Sequence, residues 1–512
     1  MQILESYLEG AWRAGDGDGA HLYDPTTEQP VARASTAGLD LGAALAHARE
    51  VGGPALRALT FAERGDLLAR MSKAIHAERE ALIEIGRVNA GNTRGDAKFD
   101  IDGATGTLMF YAGLGKQLGD RRVLRDGELA QLTRNNRLVG QHIRVARPGV
   151  AVLINAFNFP AWGLAEKMAQ ALLAGMPVLG KPATATAWMT EAMVRAVVAA
   201  DILPAGALSL LTGSAGDLLD HLTWGDVVAF TGGAETGATI RKHPAILANG
   251  VTVNVEADSL NATILLPGAD EATYDAFLRA AHTEITQKSG QKCTATRRIL
   301  VPAEMVEDVI EDLGAMLART KIGDPADADV RMGPLASAAQ LASAREGLAA
   351  LQAHADVVWG DPEGGAAVND GVGHFMTPVL LRAKAPLEPG PIHDREVFGP
   401  VSTLLPYADL DEAIAATRLG QGSLVTSVFG DDRDALRALI EQLAGWHGRL
   451  VITDAKIAEK ALSPGLVMPH LQHGGPGRAG GGAELAGEAG LALYTQRCAI
   501  QGNAGLLDHI LA

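Results

Sequence analysis

Cysteine is nearly absent from this chain: Cys293 and Cys498 are the only two in 512 residues. Two thiols so far apart make neither a disulfide framework nor a metal-ligand cluster, so a reducing compartment and a site without metal are expected. Long apolar runs are missing too. The most suggestive uncharged stretch, Pro148 to Ala165, holds two prolines and two asparagines, which argues against a membrane helix. The opening MQILESYLEGAW lacks the basic segment and apolar run of a secretory signal, so the cytoplasm is the expected location. Basic residues are outnumbered as well, 44 Lys and Arg against 60 Asp and Glu. A net charge of −16 spread along the chain speaks against nucleic acid or an anionic membrane as partner.

What is present is ample core material, 47% hydrophobic residues over a length that suggests about three domains. Turn-rich clusters such as GDGDG and YDPTTEQP separate short apolar runs up to about residue 60, as in small strands joined by turns. From Phe61 to about Ala90 apolar residues recur at spacings of three and four, which predicts amphipathic helices. Then the rhythm changes. VAVLINAF, MPVLGKP, ALSLLTG, DVVAFTGG and VTVNVEA alternate with helical stretches, the pattern of an α/β doubly wound parallel sheet whose ligands bind at the carboxyl ends of its strands. After about residue 258 the alternation begins again and predicts a second α/β domain. TRNNRLVGQHIRVARP, 133 to 148, reads as a hairpin arm, and GLALYTQRCAIQGN as a strand that leaves the domain. The glycine-rich HGGPGRAGGG is too short for a linker and needs a local reason.

Four short segments at those strand ends, NAFNFP, GKPAT, TGGAETG and VEADS, and one polar segment beyond them carry chemistry. KSGQKCT, 288 to 294, sets Cys293 among polar residues just after a glycine, where a thiol with a lowered pKa would attack a carbonyl carbon. The competing reading is a half-buried structural thiol; Cys498, in the apolar-edged tail, reads as structural. TGGAETG, 231 to 237, follows an apolar run and opens a helix, the setting for pyrophosphate at a helix N-terminus, although it is not GxGxxG and an ordinary turn would look the same. Lys181 ends one strand-like run and would meet a ribose or phosphate. Glu256 ends another and would act as a general base, and the Asn158 amide would donate to an oxyanion. Each of these is also compatible with a plain surface residue.

Their order is what identifies them. INAFNFP, GKPAT, FTGGAETG, VNVEADS, SGQKC, EVFGPV and HGGPGRAGGGAEL resemble, in order and spacing, the aldehyde dehydrogenase superfamily from about residue 10 to the end. NVEADSLN and the glycine-rich tail narrow the likeness to two groups. One comprises the dehydrogenases acting on 3,4-dehydroadipyl-CoA semialdehyde in benzoyl-CoA oxidation. The other is the dehydrogenase half of the ring-opening enzymes of phenylacetyl-CoA breakdown.

The resemblance implies an aldehyde dehydrogenase fold with a Rossmann-like dinucleotide-binding domain (1–128 and 148–257), an α/β catalytic domain (258–487) and an oligomerisation arm (129–147 and 488–512). A homodimer or dimer of dimers is expected from it. Cys293 matches the nucleophile, Asn158 the oxyanion donor, Glu256 the usual base, and Lys167 and Glu484 a proton relay; whether Glu256 or Glu484 activates water stays open. For the cofactor it implies Ile154, Asn155 and Phe157, then Lys181, Ala183 and Thr184. The glycine turn adds Thr231, Gly232, Gly233 and Gly237, and Glu396 would grip the nicotinamide ribose beside Phe398. Ala156-Phe157 replaces the family's common Pro-Trp, and Gly233 a serine.

NADP is the expected cofactor, with NAD the alternative, because Thr184 stands where many NAD-using relatives carry a glutamate. The expected substrate is a CoA-linked semialdehyde, its CoA held by Arg297 and Arg298 or by Arg121 and Arg122. Three other readings compete: an acylating enzyme, against which Glu256 argues; a dehydrogenase of a free semialdehyde such as succinate semialdehyde; and a silent protein on the same fold.

Overall fold

The computed structural model describes residues 1–134 and 137–511, so the tip of the expected hairpin arm, at 135 and 136, and residue 512 lie outside the described residues. Two seven-stranded sheets organise the chain. The first runs Thr252–Glu256, Val227–Thr231, Ala151–Ile154, Val178–Lys181, Leu208–Leu210, Ser6–Leu8, Ala11–Arg13. Its first five strands are parallel, and the two N-terminal strands extend it antiparallel. Ala151–Ile154 lies between the strand that follows it and Val227–Thr231, so the winding reverses there. A crevice opens beyond the strand ends at such a reversal.

The second sheet runs Ala355–Trp359, Val379–Ala383, Val401–Tyr407, Arg298–Pro302, Ala262–Leu265, Ser423–Phe429, His447–Thr453, parallel apart from its first strand. The strands in its middle are buried on both faces, which explains why they read as continuous apolar runs rather than alternating ones. A third sheet joins Thr495–Asn503, on the tail read as a strand that leaves the domain, to Leu138–Ala146, within the segment read as a hairpin arm, and to Leu124–Gln131, all antiparallel. Among the described residues, no helix is long and apolar enough to cross a membrane.

Two helices set the geometry of the site. Arg94–Leu118 starts at Thr93, whose side chain accepts from the Asp96 N–H, and ends at Gly119 with φ 71°. At 25 residues it spans roughly 37 Å. The shorter Trp162–Ala174 is buried along almost its whole length. It has no cap of its own; instead Asp100, from the long helix, accepts from the N–H groups of Ala161 (3.2 Å) and Trp162 (2.7 Å). A carboxylate at a helix N-terminus satisfies orphan donors and favours the dipole. The consequence is a fixed angle between the two helices. Gly103 completes the joint, since a Cβ there would stand 2.2 Å from the Trp162 ring.

Candidate active site

The KSGQKCT segment leaves the helix Glu271–Thr286 through three residues with positive φ, Lys288 (52°), Ser289 (55°) and Gly290 (70°). Two of these are not glycine, a conformation that costs of order 1–3 kcal/mol each and persists only where neighbours over-determine it. They do so here. The Lys288 N–H donates to Asp96 (3.1 Å), its Nζ to Asn92 (3.2 Å), and the Ser289 hydroxyl to the Gly333 carbonyl (2.7 Å). Gly290 is obligatory, because a Cβ would lie 2.3 Å from the Gly399 carbonyl oxygen. Lys292 is buried against Glu284 at 2.9 Å, and Asn261 donates to the carbonyls of Cys293 (2.8 Å) and Ala295 (2.9 Å). The polar residues around Cys293 are the clamp that holds it.

Cys293 is half-buried and lines a small cavity of about 40 Å³ with Asn155, Asn158, Glu166, Glu256 and His473. Asn158 Nδ2 donates one N–H to the Gln291 carbonyl at 3.1 Å, which leaves its second N–H for a ligand. Glu256, the last residue of its strand, receives the thiol's hydrogen bond. Burial, then the Glu256 carboxylate, hold the thiol well above its ordinary value, so the resting sulfur is protonated.

Behind Cys293 lies a buried polar cluster. Lys167 Nζ lies 2.7 Å from Glu484 and 3.1 Å from Glu166, and Asn254 donates to Glu484 at 2.8 Å. Burial would lower the Lys167 ammonium, but Glu484, Glu166 and Glu256 together keep it well above its ordinary value. Burial raises the Glu166 carboxyl to about 7 despite Lys167 and His473. The relay residues named from sequence, Lys167 and Glu484, therefore do meet Glu256 at one place.

Two members of this cluster escape sequence reasoning. Glu166 precedes Lys167 on a helix buried all round, where no periodicity marks a functional face. His473 opens the glycine-rich tract. The two-stranded ribbon Gln472–Gly474 with Ala483–Leu485 pairs it directly with Glu484, and its Nε2 lies 3.1 Å from Glu256 Oε1 and 4.0 Å from Cys293 Sγ. The tract's glycines also find their reason here. A Cβ on Gly480 or Gly482 would stand 2.3 or 2.5 Å from the Val255 carbonyl, so the ribbon approaches the Glu256 strand backbone to backbone.

The residues expected to hold the cofactor cluster at the strand ends of the first sheet. Ile154, Lys181 and Thr231 end three strands, Asn155 and Phe157 follow the first, and Ala183 and Thr184 open the turn after the second. Gly232 and Gly233 lead into the helix Ala234–Arg241, where a Cβ on Gly237 would press on Val255 at 2.9 Å. Several details suit the binding of a dinucleotide. Both polar atoms of the Asn155 amide are buried without a partner, and Lys181 is lowered to about 8 by burial alone among the described residues. One detail modifies the expectation, since the first helical N–H, that of Ala234, is taken by Asp258 at 3.0 Å. Glu396 is engaged too, accepting from the Ser259 N–H (3.1 Å) and facing Arg297 (3.2 Å), and burial raises it to about 7. Phe398, just before the strand Val401–Tyr407 of the second sheet, meets Phe157 edge-on at 5.7 Å.

The arginines expected to hold CoA are placed elsewhere. Arg297 and Arg298 are buried, the first on Glu396 and the second donating to the carbonyls of Leu260, Ala416 and Thr417. Arg121 and Arg122 donate to Leu118 and Ala58, past the far end of the long helix. What does open towards Cys293 is a cavity of about 540 Å³ between that helix and residues 466–470, sharing Trp162 and Val467 with the inner pocket.

Comparison with known proteins decides the family. The aldehyde dehydrogenase family model matches residues 12–500. The chain belongs to that family. It is 47% identical over 477 residues to 3,4-dehydroadipyl-CoA semialdehyde dehydrogenase of Aromatoleum evansii, covering 92% of this chain and 93% of the relative. It is 29% identical to α-ketoglutaric semialdehyde dehydrogenase of Bacillus subtilis, covering 86% and 87%. Among solved structures, 3,6-anhydro-L-galactose dehydrogenase in complex with NAP superposes with TM-score 0.86 at 21% identity, covering 98% of this chain and all (100%) of that one. PnpE in complex with nicotinamide adenine dinucleotide does so with TM-score 0.85 at 24% identity, covering 98% of each. This aldehyde dehydrogenase is accordingly an NAD(P)-dependent enzyme acting on an aldehyde.

Proposed function

We propose that the enzyme oxidises a semialdehyde whose far end is a CoA thioester, such as 3,4-dehydroadipyl-CoA semialdehyde, to the free acid with NADP. The near full-length likeness to the Aromatoleum evansii enzyme carries this reading. The outer cavity supports it. Its helical wall carries Gly95 and Gly106, and a Cβ at Gly106 would meet nothing within 4 Å, so an extended arm has room to lie against the helix. Lys98 and His470 are exposed at its rim, and Asp102, also there, is already paired with Arg79 at 2.7 Å. On a chain of net charge −16, the exposed Lys98 is the cation this rim offers to a phosphorylated handle.

In the reaction we infer, Cys293 Sγ bonds to the aldehyde carbon and its proton passes to Glu256. The free N–H of Asn158 and the Cys293 N–H hold the resulting oxyanion. The nicotinamide, when bound, accepts the hydride. Glu256 first passes that proton on through the Glu484 and Lys167 cluster to solvent; ionised again, it takes a proton from the water that hydrolyses the Cys293 thioester and returns it to the leaving sulfur, which restores the thiol. A homodimer or dimer of dimers would form through the third sheet, which leaves Leu129, Leu132 and Leu138 exposed. The cytoplasm suits two free thiols.

The test compares kcat/KM for a CoA-linked C6 semialdehyde with that for the matching free-acid semialdehyde. Binding of the handle orients the aldehyde, so the truncated compound should lose kcat as well as affinity, about tenfold or more in kcat/KM. Equal or better use of the free compound would remove the CoA claim.

The NADP preference has its own test. Lys181 is charged below about 8 and faces no carboxylate at position 184, so it is free to attract a 2′-phosphate. Because the ammonium must be protonated to do this, kcat/KM for NADP should fall as pH rises through about 8, while that for NAD should not. Thr184→Glu should shift selectivity towards NAD by about one to two powers of ten. A wild type that uses NAD better would contradict this.

A further inference from the structure

Glu256, Cys293 and His473 meet at one point, and the roles proposed above for the first two leave the third unexplained. His473 Nε2 is 3.1 Å from Glu256 Oε1 and 4.0 Å from Cys293 Sγ, the side chain is buried, and its Nδ1 has no partner. Groups facing it from the surrounding elements are mostly acidic. Glu256 ends one strand, Glu166 lies on the helix Trp162–Ala174, Glu484 stands opposite on the paired strand, and Arg449 faces it from His447–Thr453. Lys167 is in direct contact with Glu166 and Glu484 and acts on Glu256 only after His473, which is the cation in contact with it. Burial disfavours a charged imidazole, yet the adjacent Glu256 outweighs burial and raises the histidine. The same contact keeps Glu256 ionised, below the ordinary carboxylate range.

We infer that His473 is a catalytic residue whose imidazolium exchanges one ion-pair partner for another as the nucleophile forms. At rest it pairs with the Glu256 carboxylate, and the neutral Cys293 thiol donates to the same carboxylate. When the S–H bond breaks, the proton goes to Glu256, which becomes neutral, and the imidazolium is left facing the thiolate sulfur. One cation and one anion remain in contact before and after the step, so ionising a thiol among three carboxylates creates no unpaired buried charge. The Cys293 thiolate then attacks the carbonyl carbon. Hydrogen bonding alone would not do this, because the charge on the ring, not its N–H, offsets the sulfur.

The inference rests on the reading of Cys293 as nucleophile, so its test reads the thiol directly and without substrate. In a Cys498→Ala background, which removes the exposed second thiol, Cys293 alkylation by iodoacetamide is measured against pH in His473, His473→Gln and His473→Leu enzymes. Cofactor binding reports that each is folded. Glutamine retains a donor for Glu256 but takes no proton. Both variants should alkylate at least about tenfold more slowly at neutral pH, with the profile displaced to higher pH. A glutamine variant that matches the wild-type profile would reduce His473 to a positioning residue and overturn the inference, as would two unchanged profiles. Should the leucine variant fail to fold, the glutamine variant decides alone. Failure of the nucleophile itself would appear separately, as turnover retained by Cys293→Ala.

Discussion

Cys293→Ala is expected to abolish dehydrogenase turnover, by at least about a thousandfold, while cofactor binding stays nearly intact. The size follows from the chemistry: Cys293 carries the one thiol among the side chains lining the inner cavity, and the hydroxyls of Thr231 and Thr294 are far weaker nucleophiles at neutral pH. Cofactor binding survives because Lys181, Thr184 and the glycine turn sit at the strand ends of the first sheet, on backbone that Cys293 does not support. Cys498 is the internal control. It is exposed on the strand Thr495–Asn503, and Cys498→Ala should be nearly silent. Absorbance of the reduced nicotinamide measures turnover, and a titration of intrinsic fluorescence measures binding. A Cys293→Ala enzyme that turned over at the wild-type rate would end the covalent mechanism.

Glu256→Gln should be nearly as damaging, with kcat reduced by about 10²–10⁴. Glutamine can keep a contact with His473 but accepts no proton from the thiol or from water. The two halves of the reaction should respond differently to pH. Attack should recover as pH rises, because a thiolate needs no acceptor, whereas thioester hydrolysis still lacks its base. Rapid-quench measurement of hydride transfer against steady-state release separates them. If Glu484 were the base instead, Glu256→Gln would leave release unaffected and Glu484→Gln would carry the loss.

Much of this architecture is legible in the sequence, for a physical reason. Strands of a parallel sheet covered on both faces are short apolar runs, and each one ends where ligands bind. Reading off the run ends at Ile154, Lys181, Thr231 and Glu256 therefore locates the crevice without any coordinates. Long-range pairings are not legible. Nothing in HGGPGRAGGG announces that a two-stranded ribbon places His473 opposite Glu484, although the glycines signal a close backbone approach.

The arginines mislead in the opposite sense. Arg297 and Arg298 follow the nucleophile loop and look like surface charges, yet one is consumed by Glu396 and the other by carbonyls at the end of the helix Leu410–Arg418. A buried arginine satisfied by backbone oxygens has no local signature, because its partners lie far along the chain, Leu260 38 residues before Arg298 and Ala416 and Thr417 more than a hundred after it.

The most direct test of the account is the mass of the covalent intermediate. Glu256→Gln enzyme, mixed with NADP and a CoA-linked C6 semialdehyde at raised pH and quenched in acid, is digested and its peptides weighed. The account predicts that the peptide containing Cys293 gains the whole acyl chain with CoA still attached. An unmodified Cys293 while reduced cofactor accumulates, or an adduct that has lost CoA, would contradict it.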